Sequence, residues 1–129
     1  MSVRGCQRTV LIVEDDVDVR EAIAEVLSDC DYNALHAANG AEALERLRAA
    51  EVRPCVILLD VMMPTMDGWQ FRAVQKSDPA MSDIPVVVLS AHADGREAAM
   101  KMQAAAYLSK PISLESLVRQ VERFCVLEQ

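Results

Sequence analysis

Three short runs of the chain are almost entirely apolar and rich in β-branched residues, and they constrain the fold more than any other feature. They cover residues 10–13, 55–59 and 86–89. A run of this length without alternation of apolar and polar residues is typical of a strand that is covered on both faces. Strands of this kind occur in parallel sheets flanked by helices. The sequence therefore predicts an α/β protein.

Segments with helical periodicity lie between these runs. Apolar residues recur at positions 19, 22, 23, 26 and 27, and again at 114, 117, 118, 121 and 125. Spacings of three and four residues place these side chains on one helix face, which is expected to pack against the sheet. Helix start signals of the capping type agree with this division: Asn39 with Glu42, Asp94 with Glu97, and Ser113 after Pro111.

Two weaker strands complete the pattern. Residues 33–37 and 106–109 are less apolar, but each lies between two predicted helices. Strand and helix then alternate five times, which predicts a parallel sheet with right-handed crossovers and helices on both faces, the doubly wound layout. The 129 residues are expected to form one domain, 1–129, with its core at about 9–127.

Charge and hydropathy exclude several function classes. The net charge of −7 gives no positive surface for a nucleic-acid backbone or an anionic membrane, so neither partner is expected. No apolar run is long enough for a membrane span, and residues 1–9 lack the apolar stretch of a secretory signal. A cytoplasmic location is the expectation.

The four cysteines, Cys6, Cys30, Cys55 and Cys125, are far apart and include no C-x-x-C pair. Cys55 and Cys125 have apolar neighbours. Spaced cysteines of this kind usually behave as small hydrophobic residues, so neither a metal site nor a disulfide is predicted.

Polar residues follow four of the predicted strands at the point where each strand ends. They are Glu14 with Asp15, then Asp60, Ser90 and Lys110. Because the carboxyl ends of parallel strands meet at one edge of a sheet, these groups are expected to converge there. Each is unremarkable by itself: Asp15 or Asp16 alone would be interpreted as a helix N-cap. Their joint placement predicts a site.

The residue types gathered at this edge have a common chemical use. Three carboxylates close together would raise one another's pKa unless a cation lay among them, and oxygen ligands without His or Cys favour Mg²⁺. Lys110 would supply a positive charge and Ser90 a hydroxyl donor for phosphoryl oxygens. Positioning, a metal ion and positive charge are the main needs of phosphoryl transfer, so the chemistry expected of this site is phosphoryl transfer to Asp60.

The same residues lie in motifs that resemble a family. Four segments, which together span about residues 9–127, are similar to those of bacterial response-regulator receiver domains. They are Ile-Val-Glu14-Asp15-Asp16, Leu-Leu-Asp60-Val-Met-Met-Pro64-x-Met-Asp67-Gly68, Val-Leu-Ser90-Ala and Tyr107-Leu-Ser-Lys110-Pro111. The resemblance implies a flavodoxin-like (βα)5 fold with a five-stranded parallel sheet in the order 2-1-3-4-5.

The resemblance also implies roles at the metal site. Asp60 would be the phosphoacceptor, and Asp15 and Asp60 would ligate Mg²⁺ directly. Glu14 would act largely through water, and the main-chain carbonyl of Met62 would be a further ligand.

Further implied roles concern switching. Ser90 and Tyr107 match the family's two switch positions, where the hydroxyl moves toward the phosphoryl group and the aromatic ring turns inward. Lys110-Pro111 matches a peptide bond that is cis in the family. The implied donor is the phosphohistidine of a histidine kinase or phosphotransfer protein. The output would reach an effector protein, or a second copy, through a face at residues 94–126.

Two other functions stay open at this point. A hydrolase with an aspartyl-phosphate intermediate would also place an Asp at a strand end, but it would carry a second Asp where this chain has Met62. A pure interaction module would keep the fold and never take a phosphate. The receiver interpretation is not an enzyme beyond catalysing its own phosphorylation and dephosphorylation. Whether the chain acts alone or within a longer protein is left open.

Two departures from the family pattern lead to hypotheses. Gln103-Ala-Ala-Ala-Tyr107 stands where the family commonly has a glycine, so the fourth helix is predicted to run longer or to end differently. Met62 and His92 take the positions that flank the path of water to the phosphoryl group, and the apolar Met62 suggests slow hydrolysis. The methionines are otherwise expected to fill the aliphatic core, and Trp69 and Phe71 are expected to pack without a functional role.

Overall fold

The computed structural model describes residues 8–49, 53–63, 65–91 and 95–125. Strands and helices alternate along the chain. The strands are β1 (Thr9–Val13), β2 (Asn33–Ala37), β3 (Val56–Asp60), β4 (Val86–Ser90) and β5 (Ala106–Ser109). The helices are α1 (Val17–Asp29), α2 (Gly40–Ala49), α3 (Gly68–Ser77), α4 (Gly95–Met102) and α5 (Leu114–Phe124).

The strands form one parallel sheet in the order β2-β1-β3-β4-β5. This confirms both the doubly wound α/β class and the strand order that the resemblance implied. Every residue of β1, β3 and β4 is buried, as their continuous apolar runs predict. The two weaker strands, β2 and β5, are the edges of the sheet, where partial exposure explains their mixed composition.

Two apolar layers cover the sheet because successive strand residues point to opposite faces. On one face, Leu11 and Ile57 pack in a cluster that includes Phe71 of α3 and residues of α2 and α4. On the other, Val10 and Leu58 pack with α1 and α5. Phe71, which was expected to pack without a functional role, is completely buried in the cluster with Leu11 and Ile57.

Side-chain caps begin several helices as the sequence indicated. The Asn39 side chain accepts from the Glu42 N–H (2.9 Å), and the Ser113 hydroxyl accepts from the Ser116 N–H (3.3 Å). Asp16, not Asp15, is the N-cap of α1. The start signal at Asp94 lies outside the described residues, as do Pro64 and His92. Among the helices described, none combines the length and hydropathy that crossing a membrane requires.

Helix α4 does not run on; it ends at Met102. Gln103 adopts φ 58°, the left-handed conformation that glycine usually supplies after a helix. The Gln103 N–H donates to the Met100 carbonyl (3.1 Å) and the Ala104 N–H to the Ala99 carbonyl (2.8 Å), the two bonds of a Schellman motif. The missing glycine is therefore replaced by a strained glutamine at the same kind of helix end.

The prediction that the methionines fill the core is wrong for two of them. Met81 and Met102 are buried, but the side chains of Met62 and Met100 are 63% and 69% exposed. Both lie at positions that turn away from the sheet, and the apolar character of a residue alone does not show which way it faces.

The prediction that no disulfide forms is also wrong. Cys55, just before β3, and Cys125, the C-cap of α5, are joined by a disulfide with their Cα atoms 5.2 Å apart. Helices run antiparallel to the strands in this fold, so the end of α5 and the start of β3 meet at the amino edge of the sheet. Both residues are buried among apolar side chains, as expected. Cys30 is a free thiol, and Cys6 lies outside the described part of the chain.

Candidate functional site

The carboxyl edge of the sheet brings together the polar residues that follow β1, β3, β4 and β5. Glu14 is fully buried, and Asp60 and Ser90 are each 4% exposed. Asp15 is exposed at the surface of the same cluster. One carboxylate oxygen from each of Glu14, Asp15 and Asp60 lies within 4.8 Å of the others. The predicted convergence of the three acidic residues is therefore present in the structure.

Backbone amides orient the two buried carboxylates. The Asp16 N–H donates to Glu14 Oε2 (3.2 Å), and the Met62 N–H donates to Asp60 Oδ1 (3.3 Å). Arg20 stabilises the chain after β1, because its guanidinium donates to the Glu14 carbonyl (2.7 Å). The main chain at Met62 thus borders the site, while the Met62 side chain points into solvent.

Lys110 is the positive charge of the site. Its Nζ lies 2.8 Å from Glu14 Oε1 and 3.4 Å from Asp60 Oδ2. The backbone N–H of Lys110 donates to the Ser90 carbonyl (2.7 Å) and so links the end of β5 to the end of β4. The peptide bond between Lys110 and Pro111 is cis, as the resemblance implied. Burial lowers the pKa of the Lys110 ammonium, but the hydrogen bond to Glu14 and the charges of both carboxylates outweigh this and leave the pKa raised.

Asp60 is poised between its two charge states at neutral pH. The pKa of its carboxyl is raised from 3.8 to about 7, first by burial and then by the charge of Glu14 and a hydrogen bond to Glu14. Lys110 and the Met62 N–H lower the pKa only in part. The cluster therefore holds more negative charge than its single ammonium neutralises. Oxygen ligands with excess negative charge suit a hard divalent cation such as Mg²⁺.

Gly95, which the sequence interpretation overlooked, brings the two candidate switch residues together at the start of α4. A Cβ atom at this position would lie 3.0 Å from the Ser90 Cβ and 3.5 Å from Cδ2 of Tyr107. The backbone of α4 is thus packed directly over Ser90 with the Tyr107 ring beside it, and the ring is 39% exposed. A glycine after a strand end was visible in the sequence, but only the fold shows what it touches.

Gly68 allows the backbone of α3 to pack closely against Asp60, as Gly95 allows α4 to pack against Ser90. The Gly68 N–H donates to the Val61 carbonyl (3.0 Å), and an added Cβ would lie 2.8 Å from the Asp60 carbonyl oxygen. Asp67 caps α3 in a full capping box with Gln70. The Asp67-Gly68 pair therefore lets the first turn of α3 pack against the end of β3, which is a physical reason for that part of the motif.

Comparison with known proteins agrees with this geometry. The family described as the response regulator receiver domain matches residues 10–122, which is most of the chain. The chain belongs to this family. Receiver domains of this kind are signalling domains of two-component systems, which link histidine kinases to effectors.

Individual receiver proteins show the same similarity. The response regulator MprA of Mycobacterium ulcerans is 38% identical over 123 residues, which cover 94% of this chain and 49% of MprA. The chain thus spans about half the length of that relative. A putative response regulator from Chloroflexus aurantiacus has a crystal structure with a TM-score of 0.83 and 31% identity, covering 91% of this chain and 96% of that one.

A metal-bound structure is among the similar folds. The Mn²⁺-bound form of the response regulator Rcp1 has a TM-score of 0.74 and 27% identity, with 94% of this chain and 97% of that chain covered. The family match at residues 10–122 includes all four strand ends that form the site.

Proposed function

We propose that Asp60 accepts a phosphoryl group from the phosphohistidine of a histidine kinase or phosphotransfer protein, and that this changes the conformation of the domain. The observation that carries the proposal is the position of Lys110, whose ammonium lies within 4 Å of Glu14 and Asp60, the two buried carboxylates among the described residues. Such a group pairs with Asp60 before transfer and with a phosphoryl oxygen afterwards.

Mg²⁺ would be held by Asp15 and Asp60 directly, by Glu14 largely through water, and by the main-chain carbonyl of Met62. The three carboxylates fit this ion because their oxygens converge within 4.8 Å. The Mn²⁺-bound form of Rcp1, which has a similar fold, supports a divalent ion here. When bound, the ion neutralises negative charge on the phosphoryl group and on the attacking carboxylate.

The transfer itself forms one bond and breaks one. An ionised Asp60 Oδ attacks the phosphorus atom, the P–N bond of the phosphohistidine breaks, and the histidine leaves with the electron pair of that bond. Lys110 stabilises charge on the phosphoryl oxygens, and the Ser90 hydroxyl donates to one of them. Asp60 acts only in its ionised form, so the raised pKa of its carboxyl makes the charges of Lys110 and the metal ion necessary.

The packing of Gly95 against Ser90 on one side and near the Tyr107 ring on the other offers a route from the site to the surface. If the Ser90 hydroxyl moves toward a phosphoryl oxygen, the start of α4 loses a neighbour that lies against its backbone, and the half-exposed Tyr107 ring gains space to turn inward. Phosphorylation adds about 1.5 to 2 negative charges, enough to shift an equilibrium between two conformers. The output would be read by an effector protein or a second copy on the face at residues 94–126.

The two rival functions require different residues at this site. A hydrolase of the aspartyl-phosphate type needs a second carboxylate two residues after Asp60, and the exposed Met62 side chain provides none. A pure interaction module would need no ionisable cluster, whereas here a fully buried glutamate and a nearly buried aspartate share one lysine. The receiver function, with no activity beyond its own phosphorylation and dephosphorylation, accounts for these groups best.

Incubation with Mg²⁺ and acetyl phosphate tests the proposal. Intact-mass measurement should show one added phosphate in the wild type and none in Asp60→Asn, and chelation of the metal should abolish the gain. Asp29→Asn, an exposed aspartate at the opposite edge of the sheet, is the matched control and should gain phosphate like the wild type. If the wild type gains no mass, or if Asp60→Asn gains it equally, the proposed phosphoacceptor is wrong.

A second test concerns the lifetime of the phosphorylated form. Met62 lies beside Asp60, and its thioether is only a weak hydrogen-bond acceptor, so it cannot orient an attacking water well. Met62→Asn is expected to speed dephosphorylation by roughly threefold to tenfold. Decay of the phosphorylated mass after removal of the donor measures this. Met100→Asn, an equally exposed methionine on α4, should leave the decay unchanged. An unchanged lifetime in Met62→Asn would refute the hypothesis.

A further inference from the structure

The pair Cys55–Cys125 lies at the amino edge of the sheet, far from the phosphoacceptor site. Cys55 precedes β3 and Asp60 ends it, so the two residues are separated by about 16 Å along one strand. We propose that this pair is a reversible oxidation site, whose disulfide fixes the end of α5 to the start of β3 and whose reduction releases that end.

The surroundings of the pair suit both redox states. The Cα separation of 5.2 Å is within the range that a disulfide needs without movement of the backbone. As a thiol, Cys55 has an acceptor 3.2 Å away, the Thr9 carbonyl. That carbonyl also accepts from the Cys55 N–H (2.9 Å), so forming the disulfide leaves no buried acceptor without a partner. Each state therefore satisfies the groups around it.

Helix α5 is the element that the bond affects most. Its buried residues are Leu117 and Val121, and Cys125 continues the same apolar stripe at the next i+4 position. The Cys125 N–H closes the helix by donating to the Val121 carbonyl (2.8 Å). Without the covalent bond, the chain after Val121 is held by the packing of the small Cys125 side chain and the partly buried Phe124, and helix ends with so few contacts open locally. Such opening also gives reagents access to the two sulfur atoms.

The chemistry requires an oxidant, and a small disulfide such as oxidised glutathione is sufficient. One cysteine, as its thiolate, attacks a sulfur of the small disulfide, and one thiol leaves. The second cysteine then attacks the protein sulfur of the mixed disulfide, and the second thiol leaves. The protein loses two electrons and two protons, and the small disulfide becomes two thiols. A thiol reductant reverses both steps.

The test uses the full chain equilibrated in reduced and in oxidised glutathione, followed by alkylation and intact-mass and peptide analysis. The oxidised protein should be a single chain that lacks two hydrogen atoms, with Cys55 linked to Cys125 and with Cys30 alkylated. Its melting temperature should lie about 5–15 °C above that of the reduced protein, because the bond closes a loop of 70 residues. Amide exchange at 121–125 should slow in the oxidised form.

Variants separate this pair from the other cysteines. Cys125→Ala should melt at the same temperature in both buffers, whereas Cys30→Ala should keep the full difference. The proposal is overturned if the bond involves Cys6 or Cys30, if oxidation joins two chains, or if the folded protein stays a dithiol in fully oxidised glutathione. It is also overturned if the linked and reduced forms share one melting temperature and exchange pattern, or if a thiol reductant opens the bond only after unfolding. The wild type alone, in two buffers, gives these results even if a variant does not fold.

Discussion

Without Mg²⁺ at pH 7, Asp60→Asn is expected to be more stable than the wild type by on the order of 3–4 kcal/mol. The cause is the energy of burying a charged carboxylate, to which the negative charge of the buried Glu14 adds. In the folded state the pKa of the Asp60 carboxyl is about 7, against 3.8 for an exposed carboxyl. Asparagine keeps the shape of the side chain but carries no charge, so the variant avoids this energy at every pH.

Proton linkage determines which of the two proteins is more stable at each pH. Because the folded pKa of Asp60 lies above the unfolded value, the native state holds a proton that the unfolded state has released. The stability from protonated Asp60 is fully present below pH 3.8 and is lost as the pH rises through about 7. The two proteins should therefore have similar free energies of unfolding near pH 4 and diverge steadily toward pH 7. Under the proposed function, Mg²⁺ would bind the native state with its carboxylates ionised, so added Mg²⁺ should narrow the stability difference between the two proteins.

Urea unfolding at intervals from pH 4 to pH 8, with and without Mg²⁺, measures the effect. Asp29→Asn serves as the control, because removing an exposed aspartate at the far edge of the sheet should change stability by less than about 0.5 kcal/mol at any of these pH values. A wild type that is as stable as Asp60→Asn at pH 7 without metal, or a difference that does not grow with pH, would contradict the assignment of excess negative charge to this cluster.

Much of this architecture was predictable because it follows from local pattern. The strands β1, β3 and β4 are buried on both faces, and such burial requires the unbroken apolar runs that mark them in the sequence. Once the strands are parallel, their carboxyl ends share an edge, so the convergence of Glu14, Asp60 and Lys110 needs no further information. The edge strands were weaker predictions because exposure removes the apolar signal.

Other features of the structure could not be predicted because they depend on contacts between residues far apart in the chain. The disulfide joins residues separated by 70 positions, and neither cysteine has a local feature that names its partner. The closeness of Gly95 to Ser90 and Tyr107 depends on how α4 lies over β4 and β5. The sequence likewise does not show that the Lys110 ammonium lies closer to Glu14 than to Asp60, because side-chain packing at the edge sets these distances.

Arg72 is a further such residue, and it explains how α4 ends without a glycine. This arginine on α3 is 8% exposed and donates to the carbonyls of Met102 (2.9 Å) and Gln103 (2.8 Å), at the left-handed helix end. It also donates to the side-chain oxygen of Gln75 (2.7 Å). Gln75 is fully buried and donates in turn to the carbonyls before β4. Arg72 of α3 therefore stabilises the end of α4, where the sequence lacks the glycine that usually follows a helix.

Arg72→Ala is expected to lower the free energy of unfolding by about 2–4 kcal/mol. The substitution leaves the Met102 carbonyl and the Gln75 side-chain oxygen buried without this donor, and a buried acceptor without a partner is destabilising. It also leaves Gln103 in a backbone conformation that a side chain disfavours. Arg72→Lys should recover part of the loss, because an ammonium can reach one acceptor but cannot span three.

Chemical denaturation of Arg72→Ala, Arg72→Lys and Arg119→Ala tests this prediction. Arg119→Ala is the matched control: the side chain of this arginine on α5 is 69% exposed and pairs with the exposed Glu115 at 3.5 Å, so its loss should cost less than about 0.5 kcal/mol. Since Arg72 binds the chain just before β5, amide exchange at 103–105 should also accelerate in Arg72→Ala and stay unchanged in Arg119→Ala. If Arg72→Ala is no less stable than Arg119→Ala, the end of α4 is held by the Schellman hydrogen bonds alone, and the buried guanidinium contributes nothing to it.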